Sequence, residues 1–355
     1  MKIAIYCLLL SLAGVNAAWA QILTNGTGLQ AAAAVDIVGK SGEAGPGFED
    51  RLTVREAEFL VFAPIDHLFD GMLNMAAHLE EEGAFFEIHE AYIGSTKLIP
   101  RSRFRLGQFF LSIGRLNQFH RHDWPFTSAP KVQAEFFDPE GILDTGGEFS
   151  TLLPTPLYWD ITVGVTNGYT FGHSHSLGEK PDTPTHYLRS VNYFDLPWSG
   201  GTQIGLNYLG RKSDVGTDSR FIGLDATAKW REGKRLIFLI QSEVWDRAIK
   251  PAIGETEDTL GGYLYLQYGL TPRLSIGLRG DAYSVLSLED AGGNSVDNGT
   301  YAVVPNLTFR PSEFSTFRVS YTYERDKPTA APAETNHAVE FQATFILGAH
   351  PAHDF

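Results

Sequence analysis

The sequence lacks the features on which several protein classes depend. Cys7 is its only cysteine, so the chain offers neither a disulfide framework nor a set of thiolate metal ligands. It has no G-x-S-x-G elbow, H-E-x-x-H pair or phosphate-binding glycine loop, and these absences argue against an enzyme. Basic residues are also scarce, 28 against 42 acidic ones, and the formal net charge of −14 argues against a nucleic-acid partner.

Long apolar runs are missing after the first twenty residues. Residues 1–20 begin with Lys2, continue as an apolar run and end in Ala18-Trp19-Ala20, the pattern of a secretory signal peptide. That run is too short to span a bilayer as a helix, and no later stretch approaches eighteen apolar residues. We predict that residues 1–20 are removed together with Cys7 and that residues 21–355 form a single exported domain.

What the sequence does contain is alternation with a period of two. In "STFRVSYTYE" (315–324) and "HAVEFQATFIL" (337–347) apolar and polar residues take turns, which is typical of strands with one apolar and one polar face. We count about sixteen such segments. Short connections such as "REGK" (231–234) mostly alternate with longer polar ones such as "GKSGEAGPGFED" (39–50).

This pattern predicts an all-β fold, a transmembrane antiparallel up-and-down β-barrel of about sixteen strands with a long third outer loop. A soluble β-sandwich is the alternative that strand alternation leaves open. Sixteen strands enclose an aqueous lumen, whereas eight are filled by their own side chains. We expect the third outer loop, residues 113–142, to fold inward and narrow the pore, with an outward-standing lid as the alternative.

Residues 87–171 resemble a known family. The stretch "EIHEAYIGSTKLIPRSRFRLGQFFLSIGRLNQFHRHDWPF" (87–126) and the later "GGEFSTLLPTPLYWDITVGVTNG" (146–168) are similar to the zinc-regulated outer-membrane protein family of Gram-negative bacteria. Its LN-xx-H-x-H-x-W pattern falls on Leu116, Asn117, His120, His122 and Trp124. The resemblance implies a porin-type barrel in the cell outer membrane, remotely similar to the phosphate-selective porins.

Charged residues on the polar faces of three predicted strands are candidates for lining the pore. One strand carries three arginines, and two others carry glutamates and a histidine. Opposed basic and acidic walls would tune ion selectivity; alternatively, these charges only pair with one another, or the arginines bind anions. The candidate pore-lining residues are Arg101, Arg103, Arg105, Glu56, Glu58, Glu87 and His89.

Two His-X-His pairs, one in the third outer loop and one in the fourth, suggest a metal site. Neutral imidazole suits zinc, copper and nickel, and a zinc site needs three or four converging ligands. We therefore consider a zinc or other divalent ion captured at the pore rim, against polar or packing histidines; no cofactor is otherwise required. The candidate ligands are His120, His122, Asp123, His173, His175 and His186.

Other residues predict how the barrel meets its membrane. Trp159, Trp198 and Trp230 lie close to short turns, as expected for an aromatic girdle at the periplasmic interface. Phe355 ends the chain with the aromatic residue that the barrel assembly machinery reads, although Pro351 and His353 interrupt the preceding pattern. We expect contacts with outer-membrane lipid and lipopolysaccharide, and a homotrimer as a candidate assembly.

Together these features favour a porin-like outer-membrane channel for passive diffusion of small hydrophilic solutes or ions, including a divalent metal. The alternative is a scaffold barrel that sheathes a partner, such as a multihaem electron conduit or a lipoprotein. The sequence has no C-x-x-C-H haem attachment motif, so a redox centre would belong to the partner.

Overall fold

The computed structural model is a closed barrel of sixteen antiparallel strands, which confirms the predicted fold. The structure describes residues 28–44, 51–80, 83–168, 181–287, 298–328 and 332–348. Each strand pairs with its neighbours in sequence, and β1 closes the ring against β16 from Ala32↔Gly348 to Gly42↔Ala338. The strands are β1 Gln30–Gly42, β2 Arg51–Pro64, β3 Asp70–Glu80, β4 Gly83–Ser95, β5 Ser102–Phe110, β6 Leu143–Leu152, β7 Tyr158–Thr166, β8 Pro181–Leu196, β9 Gly200–Ser213, β10 Asp218–Glu232, β11 Arg235–Lys250, β12 Glu257–Gly269, β13 Leu274–Ser287, β14 Gly299–Ser312, β15 Ser315–Lys327 and β16 Glu334–Gly348.

The two faces of each strand have opposite environments. In β12 the side chains of Leu260 and Leu264 are exposed on the outside, whereas those of Thr259, Tyr263 and Tyr265, on the opposite face of the strand, are buried towards the lumen. The outward side chains are apolar because they meet lipid, and the backbone polar groups are satisfied by the closed ladder. The period of two in the sequence therefore separates the membrane surface from the lumen.

The connections differ in length at the two ends of the barrel. At one end, seven turns of two to six residues join the strands, for example 233–234 and 313–314. The other end carries longer connections on average, including 111–142 between β5 and β6. Short turns are typical of the periplasmic end of an outer-membrane barrel, and longer loops of the external end. Among the described residues, no helix has the length and apolar character needed to cross a bilayer.

Residues 111–142, which we call loop 3, fold into the barrel, as predicted. The loop contains two short 3-10 turns, Leu116–Gln118 and Arg121–Asp123, and the helix α1, Lys131–Phe137. Its apolar side chains form one buried cluster with inward side chains of β8 to β13. The cluster includes Leu116, Trp124, Phe126, Phe136 and Phe137 of loop 3 with Tyr187, Phe221, Trp245, Tyr263 and Tyr265 of the wall.

The three tryptophans of the predicted girdle lie near the short turns. Trp159 and Trp230 are on the outward faces of β7 and β10, and Trp198 is exposed in the turn between β8 and β9. The indole nitrogens of Trp159 and Trp230 donate hydrogen bonds to Ser190 Oγ (2.8 Å) and to the carbonyl of Pro197 (3.2 Å). An interfacial indole has a polar atom to satisfy and an apolar ring to bury in lipid, and the girdle itself stays a prediction.

A charged side chain on the outward face of the barrel should destabilise the fold most at the middle of the bilayer and least at its edges. Leu224 is 47% exposed at the middle of β10. The variant Leu224→Arg should lower the free energy of unfolding of the barrel by about 2–4 kcal/mol, because the cation then faces the bilayer centre. Leu157→Arg is the matched control, since Leu157 is 57% exposed in the short turn 153–157 and should tolerate the charge. Urea unfolding in lipid vesicles measures both; equal losses would contradict the membrane orientation.

Candidate functional site

Backbone groups of loop 3 are bonded to polar side chains of the barrel wall. Gly114 N donates to Asn207 Oδ1 (2.8 Å) and Leu116 N donates to Glu243 Oε1 (2.8 Å). Arg318 Nη2 donates to the carbonyl of Trp124 at 3.2 Å. These contacts satisfy backbone groups of a non-helical segment that is buried away from water.

Two further arginines hold the middle of the loop from other strands. Arg55 of β2 donates through Nη1 to the carbonyl of Thr127 (2.7 Å), and its Nε bonds Asp36 Oδ2 of β1 (2.8 Å). Arg279 of β13 donates to the carbonyl of Ser128. Loop 3 is therefore tied to β2 and β15 on one side of the lumen and to β9, β11 and β13 further round the wall.

The His-X-His pair of loop 3 meets one carboxylate of the wall. His120 Nδ1 and His122 Nδ1 lie 3.3 Å and 3.0 Å from Glu58 Oε1, and Asn74 Nδ2 donates to Glu58 Oε2 at 2.6 Å. Burial would lower the pKa of His122, but the carboxylates of Asp123 and Glu58 outweigh it and raise the pKa to about 10. Carboxylates also raise the pKa of His120 against the effect of burial, with Glu58 the strongest contributor. Both histidines are then cations that pair with Glu58.

The 3-10 turn Arg121–Asp123 explains why both imidazoles reach the same oxygen. It lies on the sequence RHD, and the rings of His120 and His122 stack with centroids 5.7 Å apart and an angle of 16°. His120 also stacks on His89 of β4, at 5.7 Å and 15°, and Phe110 packs edge-on against it at 5.0 Å. The aromatic contacts hold the ring planes and keep both Nδ1 atoms within ion-pair distance of Glu58.

A second group of polar side chains lies on the wall itself, near the external ends of β3 and β4. Glu87 Oε1 is 2.7 Å from His78 Nε2 and 3.3 Å from His89 Nε2, and the two Nε2 atoms are 3.1 Å apart. Glu140 of loop 3 joins this group, with Oε1 3.9 Å from His78 Nδ1. Two imidazoles and two carboxylates are a donor set that suits borderline divalent cations such as zinc.

The three arginines predicted to line the pore, Arg101, Arg103 and Arg105, lie in three different environments. Arg105 is paired with Glu148 of β6 (Nη2–Oε1 2.7 Å) and lies over the Phe109 ring at 4.3 Å. Arg103 lines a cavity next to loop 3, and Arg101 lies in the exposed short turn with a φ of 63°. The three arginines therefore do not form one continuous basic surface opposite Glu56 and Glu58. The charge of Arg105 is neutralised by Glu148.

Two cavities on the short-turn side of loop 3 have basic linings. Their volumes are about 660 Å³ and about 300 Å³, and Arg115 and Phe119 of loop 3 line both. Among their lining residues the only acids are Asp160 and Asp123. The basic lining residues are Arg101, Arg103, Arg115, Arg189, Lys229, Arg231 and Arg310.

The structure separates the described candidates of the predicted rim site, and the metal site stays a prediction. His120, His122 and Asp123 lie inside the lumen, whereas His186 is exposed on the outward face of β8, where its ring packs 5.9 Å from Tyr208. Strand alternation explains this, since Thr185 and Tyr187 on either side take the inward positions. His173 and His175 lie outside the described residues.

Sequence reasoning missed several residues of the lumen. Their common feature is a contact that joins distant parts of the chain, for which the sequence carries no local signal. The inward position of His78 could have been read from the alternation of β3, but its meeting with Glu87 depends on strand register. The missed residues are Asp36, Arg55, Asn74, His78, Glu90, Glu140, Glu243, Arg279 and Arg318.

Comparison with known families and proteins identifies a porin family and one related protein. The model of the OmpL-like beta-barrel porin-2 family, BBP2, matches residues 144–350. An uncharacterized protein of Aquifex aeolicus (strain VF5) is 27% identical over 331 residues, which cover 84% of this chain and 69% of that protein. The family match spans more than half of the chain.

Solved structures share the architecture at low sequence identity. The anion-selective porin from Comamonas acidovorans has a TM-score of 0.61 at 11% identity, over 91% of this chain and 100% of its own. OmpT of Vibrio cholerae in its trimer form gives 0.59 at 9%, over 90% and 99%. The outer-membrane channel DcaP of Acinetobacter baumannii gives 0.58 at 12%, over 90% and 96%. At these identities the likeness shows the fold alone.

The shared carboxylate predicts how loop 3 is held. Glu58→Gln should leave His120 and His122 without their common counter-charge and weaken loop anchoring by about 3–5 kcal/mol. Trypsin should then cleave after Arg115 or Arg121 at least about a hundred times faster, measured by mass spectrometry of the folded barrel. Glu313→Gln, in an exposed short turn, is the control and should leave cleavage unchanged. An equally resistant Glu58→Gln barrel would show that the pair does not anchor the loop.

Proposed function

Because the chain belongs to the OmpL-like beta-barrel porin-2 family and is a porin-like channel of the outer membrane, we propose that small hydrophilic solutes cross it by passive diffusion. The observation that carries this proposal is loop 3, which is fixed inside the lumen by wall side chains on both sides. A segment held in this way sets an upper limit on solute size without a moving part or an energy source. We assign the protein no catalytic role.

The basic lining of the two cavities favours anionic solutes. Burial and the neighbouring Arg189 lower the pKa of Arg115 to about 10, so this side chain remains a cation at neutral pH. Lys229 and Arg231 lie at the short-turn end of β10, and Arg310 at the same end of β14. Seven basic residues against Asp160 and Asp123 leave the lining with an excess of positive charge, and a low-dielectric passage with such an excess concentrates anions. The periplasmic half of the pathway then acts as an anion filter.

A scaffold role is less well supported by the geometry of the lumen. A barrel that sheathes a haem protein or a lipoprotein must leave its lumen to that partner. Here loop 3 occupies the lumen, and its aromatic cluster packs on the wall of β8 to β13. The partner would have to displace a buried hydrophobic cluster.

Three further elements belong to this proposal. We propose that the barrel assembles as a homotrimer, supported by the trimer form of the OmpT neighbour, and that it contacts lipid and lipopolysaccharide through its outward face. We also propose, from the likeness of residues 87–171, that the chain is related to the zinc-regulated outer-membrane protein family. We also propose that a zinc or other divalent ion is held by histidines, with the lumen wall rather than the rim as its place.

Replacing loop 3 tests the size limit. A variant with residues 116–140 exchanged for a short Gly-Ser linker should show a single-channel conductance at least about twofold above wild type, because the segment no longer occupies the lumen. Planar bilayer recordings in KCl measure it. Shortening the external connection 251–256 instead is the control. An unchanged conductance in the loop 3 variant would contradict the constriction.

Removing basic residues tests the charge filter. The double variant Arg115→Gln/Arg231→Gln should lower the chloride-to-potassium permeability ratio at least about twofold, since two cations leave the cavity walls. Reversal potentials across a KCl gradient give this ratio. The matched control is Arg220→Gln/Arg325→Gln, which removes two exposed arginines near the external ends of β10 and β15. Equal changes of the permeability ratio in both double variants would contradict the filter, because the ratio would then depend only on the net charge of the protein.

A further inference from the structure

We propose that His78, Glu87 and His89 form a binding site for one zinc or similar borderline divalent ion, with Glu140 of loop 3 at its open side. The assignment names the ligands for the metal-binding part of the proposed function. The side chains come from adjacent strands, β3 and β4, whose pairing places His78 opposite Phe85. Rigid paired strands hold ligands in place better than a loop does.

The distances between the ligand atoms fit a small coordination polyhedron. A tetrahedral ion with bonds of about 2.0–2.2 Å separates its ligand atoms by about 3.3–3.5 Å. The three separations here are 3.1 Å between the two Nε2 atoms, 3.3 Å from His89 Nε2 to Glu87 Oε1 and 2.7 Å from His78 Nε2 to Glu87 Oε1. The distance between the two Nε2 atoms must lengthen by about 0.2 Å and the distance from His78 Nε2 to Glu87 Oε1 by about 0.6 Å, which small rotations of these side chains can provide.

The outer nitrogen of each histidine faces a carboxylate. His89 Nδ1 lies 3.4 Å from Glu56 Oε1, and His78 Nδ1 lies 3.9 Å from Glu140 Oε1. The His78 contact is longer than a hydrogen bond and the His89 contact is not aligned as one, so both glutamates are electrostatic neighbours of the rings. A small side-chain rotation on metal binding would bring Glu56 onto Nδ1 of His89, and a carboxylate there favours the tautomer that leaves the Nε2 lone pair for the ion. The nearby glutamates therefore support the assignment, and the separations of the three ligand atoms carry it.

The charge of the surroundings also favours a cation. Glu56, Glu58 and Glu90 are buried at the same part of the wall, and Glu87 is only partly exposed. His120 and His122 offset Glu58, and Arg121 pairs with Glu140 at 3.0 Å. A divalent ion at His78, Glu87 and His89 would compensate further buried carboxylate charge, which is costly when left alone.

The site is reachable and joins the wall to the loop. The side chain of Glu87 is 22% exposed and that of Glu140 is 18% exposed, so water and an ion can approach from the external end. Arg121 connects Glu140 to the 3-10 turn that carries His120 and His122. A bound ion would thus fasten the loop to β3 and β4 in addition to the Glu58 pairs.

Metal titration of the full-length barrel, purified in detergent without a histidine tag and treated with EDTA, tests the assignment. Zinc chloride should bind by calorimetry with one high-affinity site, and cobalt chloride should give the visible spectrum of a tetrahedral ion. His78→Ala and His89→Ala should each weaken binding more than about a hundredfold, and Glu56→Gln about ten- to a hundredfold through the loss of the orienting carboxylate. Glu87→Gln, close in shape to the native residue, should abolish the cobalt spectrum.

Control variants separate this site from the other histidines. His186→Ala, His337→Ala and His173→Ala/His175→Ala should leave the affinity within about twofold, and His120→Ala/His122→Ala should retain the tetrahedral spectrum. A wild-type barrel without saturable zinc binding would overturn the proposal, as would unchanged binding in His78→Ala. Loss of binding only in the His120/His122 or His173/His175 variants would place the ion elsewhere and overturn it too. Conductance of the metal-free barrel is measured separately, so failure of the site and failure of the channel are distinguishable.

Discussion

The structure depends on one constraint: a 32-residue connection lies inside a barrel, where its backbone polar groups need partners other than bulk water. The wall provides them as fixed donors and acceptors. Arg55, Arg279 and Arg318 donate to loop carbonyls, while Asn207 and Glu243 accept from loop amides. Many of the charges on the lumen face are therefore used to position the loop.

The two sides of the lumen hold the loop by different physics. Towards β8–β13 an aromatic cluster, in which Phe137 packs edge-on against Trp245 at 4.7 Å, accompanies the hydrogen bonds of the loop with Asn207, Glu243 and Arg279. Towards β2–β4 the contact is ionic, centred on Glu58 and the two histidines. Hydrophobic packing tolerates small shifts in register, whereas paired buried charges do not, because a displaced partner leaves an uncompensated ion. Fixed polar partners therefore position the loop on both sides, and the aromatic cluster supplies most of its apolar burial.

This division also organises function along the pore axis. Imidazoles and glutamates meet near the external ends of β3 and β4, and guanidinium groups line the cavities on the short-turn side. The proposed cation-binding region and the proposed anion filter are compatible in one channel because loop 3 lies between them. The two regions share the loop, since Arg115 lines the cavities and Glu140 faces the histidines.

The sequence by itself determined the barrel, its strand number and the alternation of lipid and lumen faces, because these follow from local periodicity and connection length. It favoured an inward loop 3 over an outward lid, and the contacts of the loop with the wall decided between them. It also marked Glu56, Glu58, Glu87 and His89 as lumen residues, since each lies on the polar face of a strand. Only the tertiary structure decided which of these charges meet. Register places His78 beside Glu87, the path of loop 3 brings His120 to Glu58, and outward alternation removes His186 from both. Such contacts join residues far apart in the chain, and no spacing within the sequence encodes them.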